Sequence, residues 1–511
     1  MSAGNARGSE EARRPFLDRQ GRCFYYYTRH ERKSRNNGGG RVKKFLICAV
    51  TAALAWSLAG GAADAADAAM QKLKIKNKDW QEGELFLKEG RLYGPAEVLA
   101  RGGAWEISRE GGSCFVSVPS AEDGSRAKIP LPLEKDGLAD LTFFGSQAGL
   151  KYKLNEKKKE IKFEEVKKPD PKKDRKKAEK KKKEKKQEKK QEKKSAEKSR
   201  PIFAVWDPDS EYAPGRPFFS SDAGDRVLIP GWSTSEEIRQ GTRSYSIRYI
   251  EGARKEGIRV MPRISNDFDP DGTSAFLRDS GKKEEFLRRL AAYTAVYGLD
   301  GWNMDFECMN PKDAPLYTEL VAGAAERMHA MNKELSVDIM PIGAADSYWT
   351  GCYDRKGLAE HADYEILMGY DQTGGSSPHA GPNAACDWLE RILPPLLKEV
   401  PAEKLVLGMP LYTRVWTGDD GAVRSDILTV RYTDEFSRKH KIVPRWQKKE
   451  RQFYADWREG GVRRRAWLEE SRSLGEKLGL LDEYGLRGAA FWRYGFETPS
   501  LYGELEKSPK K

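Results

Sequence analysis

The chain has 511 residues, more than one hydrophobic core usually organises, so several domains are expected. Its net charge of +13 is unevenly spread: residues 167–200 hold 19 Lys/Arg against 7 Asp/Glu and residues 1–65 hold 12 against 5, so removing that +12 and +7 leaves −6 on the rest. A mildly acidic folded part gives poor grounds for a nucleic-acid-binding domain, and six cysteines and five histidines without ligand spacing give none for a metal, a cofactor or Cys/His nucleophilic catalysis.

Residues 1–41 are polar and basic and read as a non-native or disordered extension, with translation starting at Val42. Arg41, Lys43 and Lys44 precede an apolar run from Phe45 to Ala59, and Ala63-Asp64-Ala65 and Ala66-Asp67-Ala68 each fit an A-x-A cleavage site. Residues 42–68 therefore read as a signal peptide and the product as secreted or envelope-associated. An uncleaved anchor is the lesser alternative, because the run is short of the roughly 20 apolar residues a span needs. Arg13-Arg14-Pro15-Phe16-Leu17 looks like a twin-arginine signal, but the apolar run begins 28 residues beyond Leu17. Cys114, Cys308, Cys352 and Cys386 remain after cleavage, so a disulfide is allowed but not implied.

Residues 70–166 read as a small β-rich domain, with short runs at Leu85–Leu87, Trp105–Ile107, Cys114–Val118 and Ile161–Phe163 broken by glycines. The stretch Gly90-Arg91-Leu92-Tyr93-Gly94-Pro95-Ala96-Glu97-Val98-Leu99-Ala100 resembles the copper-amine-oxidase-N-like stalk domains of bacterial envelope proteins, which implies no copper. A spacer or wall-contact role and a plain structural role both stay open. Residues 167–200 form a Lys/Glu linker with Glu184, Glu188 and Glu192 in one like-charged row, which weakens a helix. Lacking apolar residues, it reads as a solvated spacer reaching on the order of 110 Å when extended, or as a cation tract for anionic wall polymers.

From residue 201 short apolar strands alternate with amphipathic helices, the pattern of a parallel α/β fold. The expected strands are Pro201–Trp206, Arg226–Trp232, Ile258–Ile264, Leu299–Phe306, Ser336–Pro341, Tyr364–Tyr370, Lys404–Tyr412 and Gly488–Tyr494. Tyr317, Leu320, Val321, Ala324, Met328 and Met331 show the helical spacing between two of them. Eight such units over residues 201–507 suit a (β/α)8 TIM barrel, with a small hairpin insertion at Gln452–Trp467 around Gly460-Gly461 between strands seven and eight. Asp267-Phe268-Asp269-Pro270-Asp271-Gly272 matches half of a calcium loop, but position twelve is Arg278, so no calcium is expected.

The fourth strand carries the densest chemistry, Asp300-Gly-Trp-Asn303-Met-Asp305-Phe-Glu307. A strand's period of two puts Asn303, Asp305 and Glu307 on one face, roughly 6.6 Å apart at Cα. Met304 and Phe306 between them indicate burial on both faces, where unpaired charge is costly. Tryptophans cluster at strand ends too, Trp206, Trp232, Trp416 and Trp492, as a sugar cleft requires for packing against C–H faces.

This octapeptide resembles the Asp-x-x-Asp-x-Asp-x-Glu signature of glycoside hydrolase family 18, the chitinase-like enzymes. Asn303 stands where many members carry Asp; the resemblance is nearest to the spore-germination and cortex-lytic branch, in which Asn is usual at that position. Met368-Gly369-Tyr370-Asp371, the run Gly408-Met-Pro-Leu-Tyr412-Thr-Arg414-Val-Trp416 and Phe491-Trp492-Arg493 are similar to further family motifs in the same order. The resemblance implies a retaining, substrate-assisted glycosidase, with Glu307 as general acid and Asp305 and Tyr370 handling the sugar's 2-acetamido group. It implies substrate contacts at Asp371, Tyr412, Arg414 and Trp492 and a role for Asp300 at the strand entry, while Asn303, as a hydrogen-bond donor, and Trp206, Trp232 and Trp416, by their places at strand ends, are further expected contacts. The expected partner is an amino-sugar polysaccharide, peptidoglycan foremost. Chitin or chitooligosaccharide hydrolysis and non-hydrolytic glycan binding at the envelope are the alternatives; a monomer is expected, with no nucleic acid.

Overall fold

Strand and helix alternate from residue 202 onward in a computed structural model of the chain, whose described residues are 70–119, 126–134, 136–164, 200–209, 211–231 and 233–507. The expected extension, signal peptide, all but the last residue of the charged linker, and Trp232 lie outside them. The barrel strands, numbered one to eight in chain order, are Ile202–Asp207, Asp225–Pro230, a third in two pieces (Arg259–Val260 and Arg263–Ser265), Gly301–Asp305, Glu334–Ile339, Tyr364–Met368, Leu405–Pro410 and Gly488–Trp492. All neighbours pair in parallel, and strand eight pairs with both seven and one. Strand three is broken because Pro262 has no N–H to donate. Its first piece pairs with strand two and its second with strand four, with Met261 N donating to Leu228 O and Asn303 N to Pro262 O across the gap. The sheet thus closes as the α/β TIM barrel that the sequence predicts.

Alternation along the strands decides what fills the barrel. Ile202, Ala204, Trp206, Val227, Ile229, Met261, Tyr364, Ile366, Val406 and Ala490 form one apolar cluster inside it. Strands four and five depart from that composition, burying Asn303, Asp305, Ser336 and Asp338 at no more than 3% exposure. On the outer side, the helix Ala314–Ala330 buries Tyr317, Leu320, Val321, Ala324 and Met328, as their spacing predicts. Asp300 ties the start of strand four to strand three, its Oδ2 accepting from Val260 N at 2.9 Å. Asp269, from the calcium-loop look-alike, caps the helix Pro270–Arg278 by accepting from Gly272 N at 3.0 Å.

Two expectations need correcting. The insertion between strands seven and eight is larger than a hairpin: strand seven stops at Pro410, and a five-stranded antiparallel sheet follows. Its strands lie in the order Arg424–Thr429, Tyr412–Thr417, Val462–Leu468, Gln452–Glu459 and Arg445–Gln447. The predicted hairpin is present within it, turning at Gly460 and Gly461 with φ of 55° and 81°, a region that favours glycine. The second correction concerns the β-rich domain, which the sequence presents as separate from the barrel. Its strands form three small sheets around Leu85, Leu92, Val98, Trp105, Val116, Ile129 and Phe144, and this core is continuous with that beneath the barrel helices. Phe144 packs edge-on to Tyr297 at 6.0 Å, on the helix Ser280–Tyr297. Arg91 holds Asp140 of its own domain at 2.8 Å and Glu251 of a barrel helix at 2.6 Å. The four cysteines Cys114, Cys308, Cys352 and Cys386 are all buried.

Candidate active site

The carboxyl ends of strands three to eight bring together most of the residues the sequence singles out, at the end of the barrel where such folds carry their chemistry. Strand four ends at Asp305, and Glu307 stands on the turn beyond it, partly open to solvent. Asn266 clamps that turn from strand three, its Oδ1 accepting from Glu307 N at 3.0 Å and its Nδ2 donating to Glu307 O at 2.8 Å. Tyr353 adds a hydroxyl to Phe306 O at 3.0 Å. The acid is therefore mounted on a braced backbone while its side chain keeps access to solvent.

Electrostatics separate the carboxyl groups. Arg263 Nη1 donates to Asp305 Oδ2 at 2.6 Å, an ion pair in which Asp305 is 3% exposed. Burial, and then the charge of Asp305, push the Glu307 carboxyl well above the usual range, with Arg263 pulling the other way. A proton-carrying carboxyl next to an arginine-paired one is the arrangement an acid catalyst needs at neutral pH. Tyr370 follows strand six. Burial and the nearby carboxyls Asp338, Glu307 and Asp305 raise its hydroxyl well above the ordinary value, so it stays a hydrogen-bond donor.

Asp338 on strand five is not among the residues that the sequence motifs single out. It is 1% exposed and accepts from Asn303 Nδ2 at 2.7 Å and from Trp206 Nε1 at 3.2 Å. Asn303 Nδ2 also donates to Ser336 Oγ at 3.0 Å. Ser336-Val337-Asp338 has the same alternation of polar inward and apolar outward positions as Asn303-Met304-Asp305, and that signal was available. Arg263 follows Pro262 in the second piece of strand three, a strand that also carries Arg259, so its charge alone does not single it out in the sequence.

The remaining predicted contacts divide into exposed and supporting groups. Trp492 and Tyr370 are partly exposed and face each other across Trp206, whose ring lies 5.7 Å from Trp492 and 6.4 Å from Tyr370. Trp206 itself is buried with its N–H committed to Asp338, so it supports this floor and is not a surface contact. Trp416 is likewise corrected: it is fully buried and donates to Gly381 O at 2.8 Å, bracing the loop after strand six. Tyr412 and Arg414, also buried, converge on Asp371 Oδ1, at 2.8 Å from the hydroxyl and 2.7 Å from Nη2, and fix a carboxylate that retains partial exposure. Asp371 sits at φ 55°, with its N–H donating to Asn383 Oδ1 at 3.1 Å. Trp232, outside the described residues, has no place assigned. A separate cavity of about 630 Å³, lined by Phe203, Phe219, Leu478 and Arg487 among others, lies at the opposite end of the barrel, away from these groups.

Comparison with known proteins agrees with this geometry. The profile of glycosyl hydrolases family 18 matches residues 218–497. The "Uncharacterized glycosylase YvbX" of Bacillus subtilis is 26% identical over 273 residues, 50% of this chain and 77% of that protein. The "Cortical fragment-lytic enzyme" of the same organism is 25% identical over 251 residues, 47% of this chain and 57% of its own length. In structure, the chain resembles a chitinase from Chromobacterium violaceum with TM-score 0.53 and 19% identity, over 60% of this chain and 98% of that one. It also resembles the spore cortex-lytic enzyme SleL of Bacillus megaterium with TM-score 0.52 and 18% identity, over 62% and 76%.

Proposed function

Because the chain belongs to glycosyl hydrolases family 18 and is a glycoside hydrolase, we propose that it cleaves β-1,4 bonds next to N-acetylglucosamine in peptidoglycan, with retention and with the sugar's own acetamido group as nucleophile. Glu307 gives its proton to the glycosidic oxygen as the bond from that oxygen to the anomeric carbon breaks. The acetamido carbonyl oxygen then bonds to the anomeric carbon, giving a cyclic oxazolinium. Asp305 accepts the acetamido N–H and balances the positive charge, while the Tyr370 hydroxyl donates to the acetamido oxygen. Water adds to the anomeric carbon from the side the first sugar left, Glu307 recovers its proton, and the oxazolinium reopens. Trp492 floors the site, and Asp371, held by Tyr412 and Arg414, offers a fixed acceptor to the sugar.

The observation that carries this reading is the contrast between two neighbouring carboxyls, Glu307 protonated well above its usual range and Asp305 paired with Arg263. Cortex-lytic relatives support peptidoglycan as the glycan, and the signal-like segment 42–68 supports an exported enzyme acting at the envelope. The chitinase-like structural neighbour supports chitooligosaccharides as a second substrate class. Incubating the protein with peptidoglycan and, separately, with chitooligosaccharides and identifying the released reducing ends tests both. Glu307→Gln is expected to lower turnover at least ~100-fold on the cleaved substrate while retaining glycan binding, since positioned acid catalysis contributes about that much or more. Full turnover in that variant would remove Glu307 from the mechanism.

A further inference from the structure

The inner layer at the top of the barrel holds more acceptors than donors. Asn303 Oδ1 and Asp305 Oδ1 are both buried with no hydrogen-bond partner among the described residues, an arrangement that costs stability in a closed interior. Beside them Asp338 takes two donors, Asn303 Nδ2 and Trp206 Nε1. The two ends of a side-chain amide are nearly the same size, and a half-turn about its terminal bond exchanges them without moving any neighbour. With the amide turned over, its oxygen takes the place from which Nδ2 now reaches Ser336 and Asp338, and its N–H groups take the place of the unpartnered oxygen, on the strand face shared with Asp305. The serine hydroxyl can donate to that oxygen. A carboxylate cannot, so the arrangement requires a proton on Asp338. With that proton in place, the orphaned oxygens of both Asn303 and Asp305 gain partners.

Resting on the acetamido-assisted reading above, we propose that Asp338 is a positioning residue: as a neutral acid it donates to the Asn303 oxygen, which turns the Asn303 N–H onto Asp305 and holds Asp305 as the anion that receives the sugar's acetamido group. The carboxyl that position 303 lacks is thus supplied, in protonated form, from the adjacent strand. The charged and titratable groups around Asp338 are Asp305 and Glu307 of strand four, Arg263 of strand three, Tyr370 after strand six and Tyr317 of the following helix. Burial and then repulsion by Asp305 push the Asp338 carboxyl well up, against the pull of Asn303, Arg263 and Trp206, which is the direction the neutral form needs.

The test uses the full chain on the substrate it cleaves, with kcat and KM measured across pH. Asp338→Asn keeps a donor facing Asn303 and is expected to hold kcat within about threefold. Asp338→Leu has similar bulk and no donor, and is expected to lose at least about tenfold in kcat with KM within about twofold. In the parent, both Glu307 and Asp338 must be protonated, so log kcat/KM falls at alkaline pH with a slope approaching −2. In Asp338→Asn only Glu307 titrates, and the slope becomes −1. The slope stands without the leucine variant, should that variant fail to fold. A slope that stays the same in Asp338→Asn, or an asparagine variant as impaired as the leucine one, overturns the proposal. Undiminished turnover in Glu307→Gln would instead bring down the catalytic reading beneath it, so the two failures are distinguishable.

Discussion

A lone buried carboxylate in the inserted sheet and the group of acids at the catalytic end of the barrel are built on opposite rules. At the base of the inserted sheet, Glu469 is fully buried and both of its oxygens have donors: Gln452 Nε2 at 2.7 Å on one, Ser473 Oγ at 2.8 Å and Lys477 Nζ at 2.9 Å on the other. Lys477 is as buried as its partner. At the carboxyl end of the barrel, Asp305, Asp338 and Glu307 share one arginine, and with the Asn303 amide as placed two acceptor oxygens have no donor among the described residues. A carboxylate with donors on both oxygens rigidifies the join between the last inserted strand and the helix Ser471–Tyr484. A cluster short of cations instead keeps protons on its acids, where the chemistry needs them. Burial of acids alone does not mark an active site; at the catalytic end the acids outnumber the cations beside them, and protons make up the balance.

Perturbing one cluster should therefore move activity and perturbing the other should move stability. The largest effect expected is the loss of at least ~100-fold in turnover for Glu307→Gln, with the melting temperature little changed. Lys477→Met sits at the opposite pole. Removing the cation leaves Glu469 buried and unpaired, which is expected to cost about 3–5 kcal/mol of unfolding free energy by chemical denaturation. The kcat per folded molecule should stay close to the parent's. A variant that lost turnover in the folded state without losing stability would show that the inserted sheet takes part in the chemistry and would erase the contrast.

The barrel and its acid were readable from the sequence because both depend on local regularities. Period-two alternation marks the strands, period 3.6 marks helices such as Ala314–Ala330, and Asn303, Asp305 and Glu307 share one strand. Asp338 and Arg263 were harder to see because their meaning depends on register: Arg263 pairs in line with Asn303, and Asn303 with Ser336, across separate strands. The inserted sheet is hidden in the sequence because Pro410 to Tyr412 look continuous: Leu411 N still donates to Trp492 O of strand eight, while Tyr412 already pairs with Thr429 of the insertion. Trp206 and Trp416 look like Trp492 in sequence, and only packing assigns them inside. Docking of the β-rich domain rests on single contacts such as Phe144 against Tyr297, which no periodicity announces.

Glu365 sharpens the comparison, since it is unsatisfied and yet far from chemistry by orientation. It lies on strand six at an outward position between Tyr364 and Ile366, both of which face the barrel interior. It is fully buried, and neither oxygen has a partner among the described residues. The nearby cations are engaged elsewhere: Arg355 donates to the carbonyls of Met340, Pro341 and Thr350, and Lys404 to those of Ala359 and Ala362. Burial accordingly pushes the Glu365 carboxyl well above its ordinary 4.5. With the folded value above the unfolded one, the native state holds the proton more tightly. That advantage is complete below about 4.5 and is lost as pH climbs through the folded value. Glu365→Gln removes the titration. The variant is expected to match the parent near pH 4 and to exceed it at pH 8 by on the order of 1–3 kcal/mol in chemical denaturation, the range for a buried polar group without a partner. Turnover should be unaffected at both pH values. If the variant gains no stability at pH 8 and loses activity, the outward acid is coupled to the catalytic layer, and position inside the barrel ceases to be what separates the two kinds of buried acid.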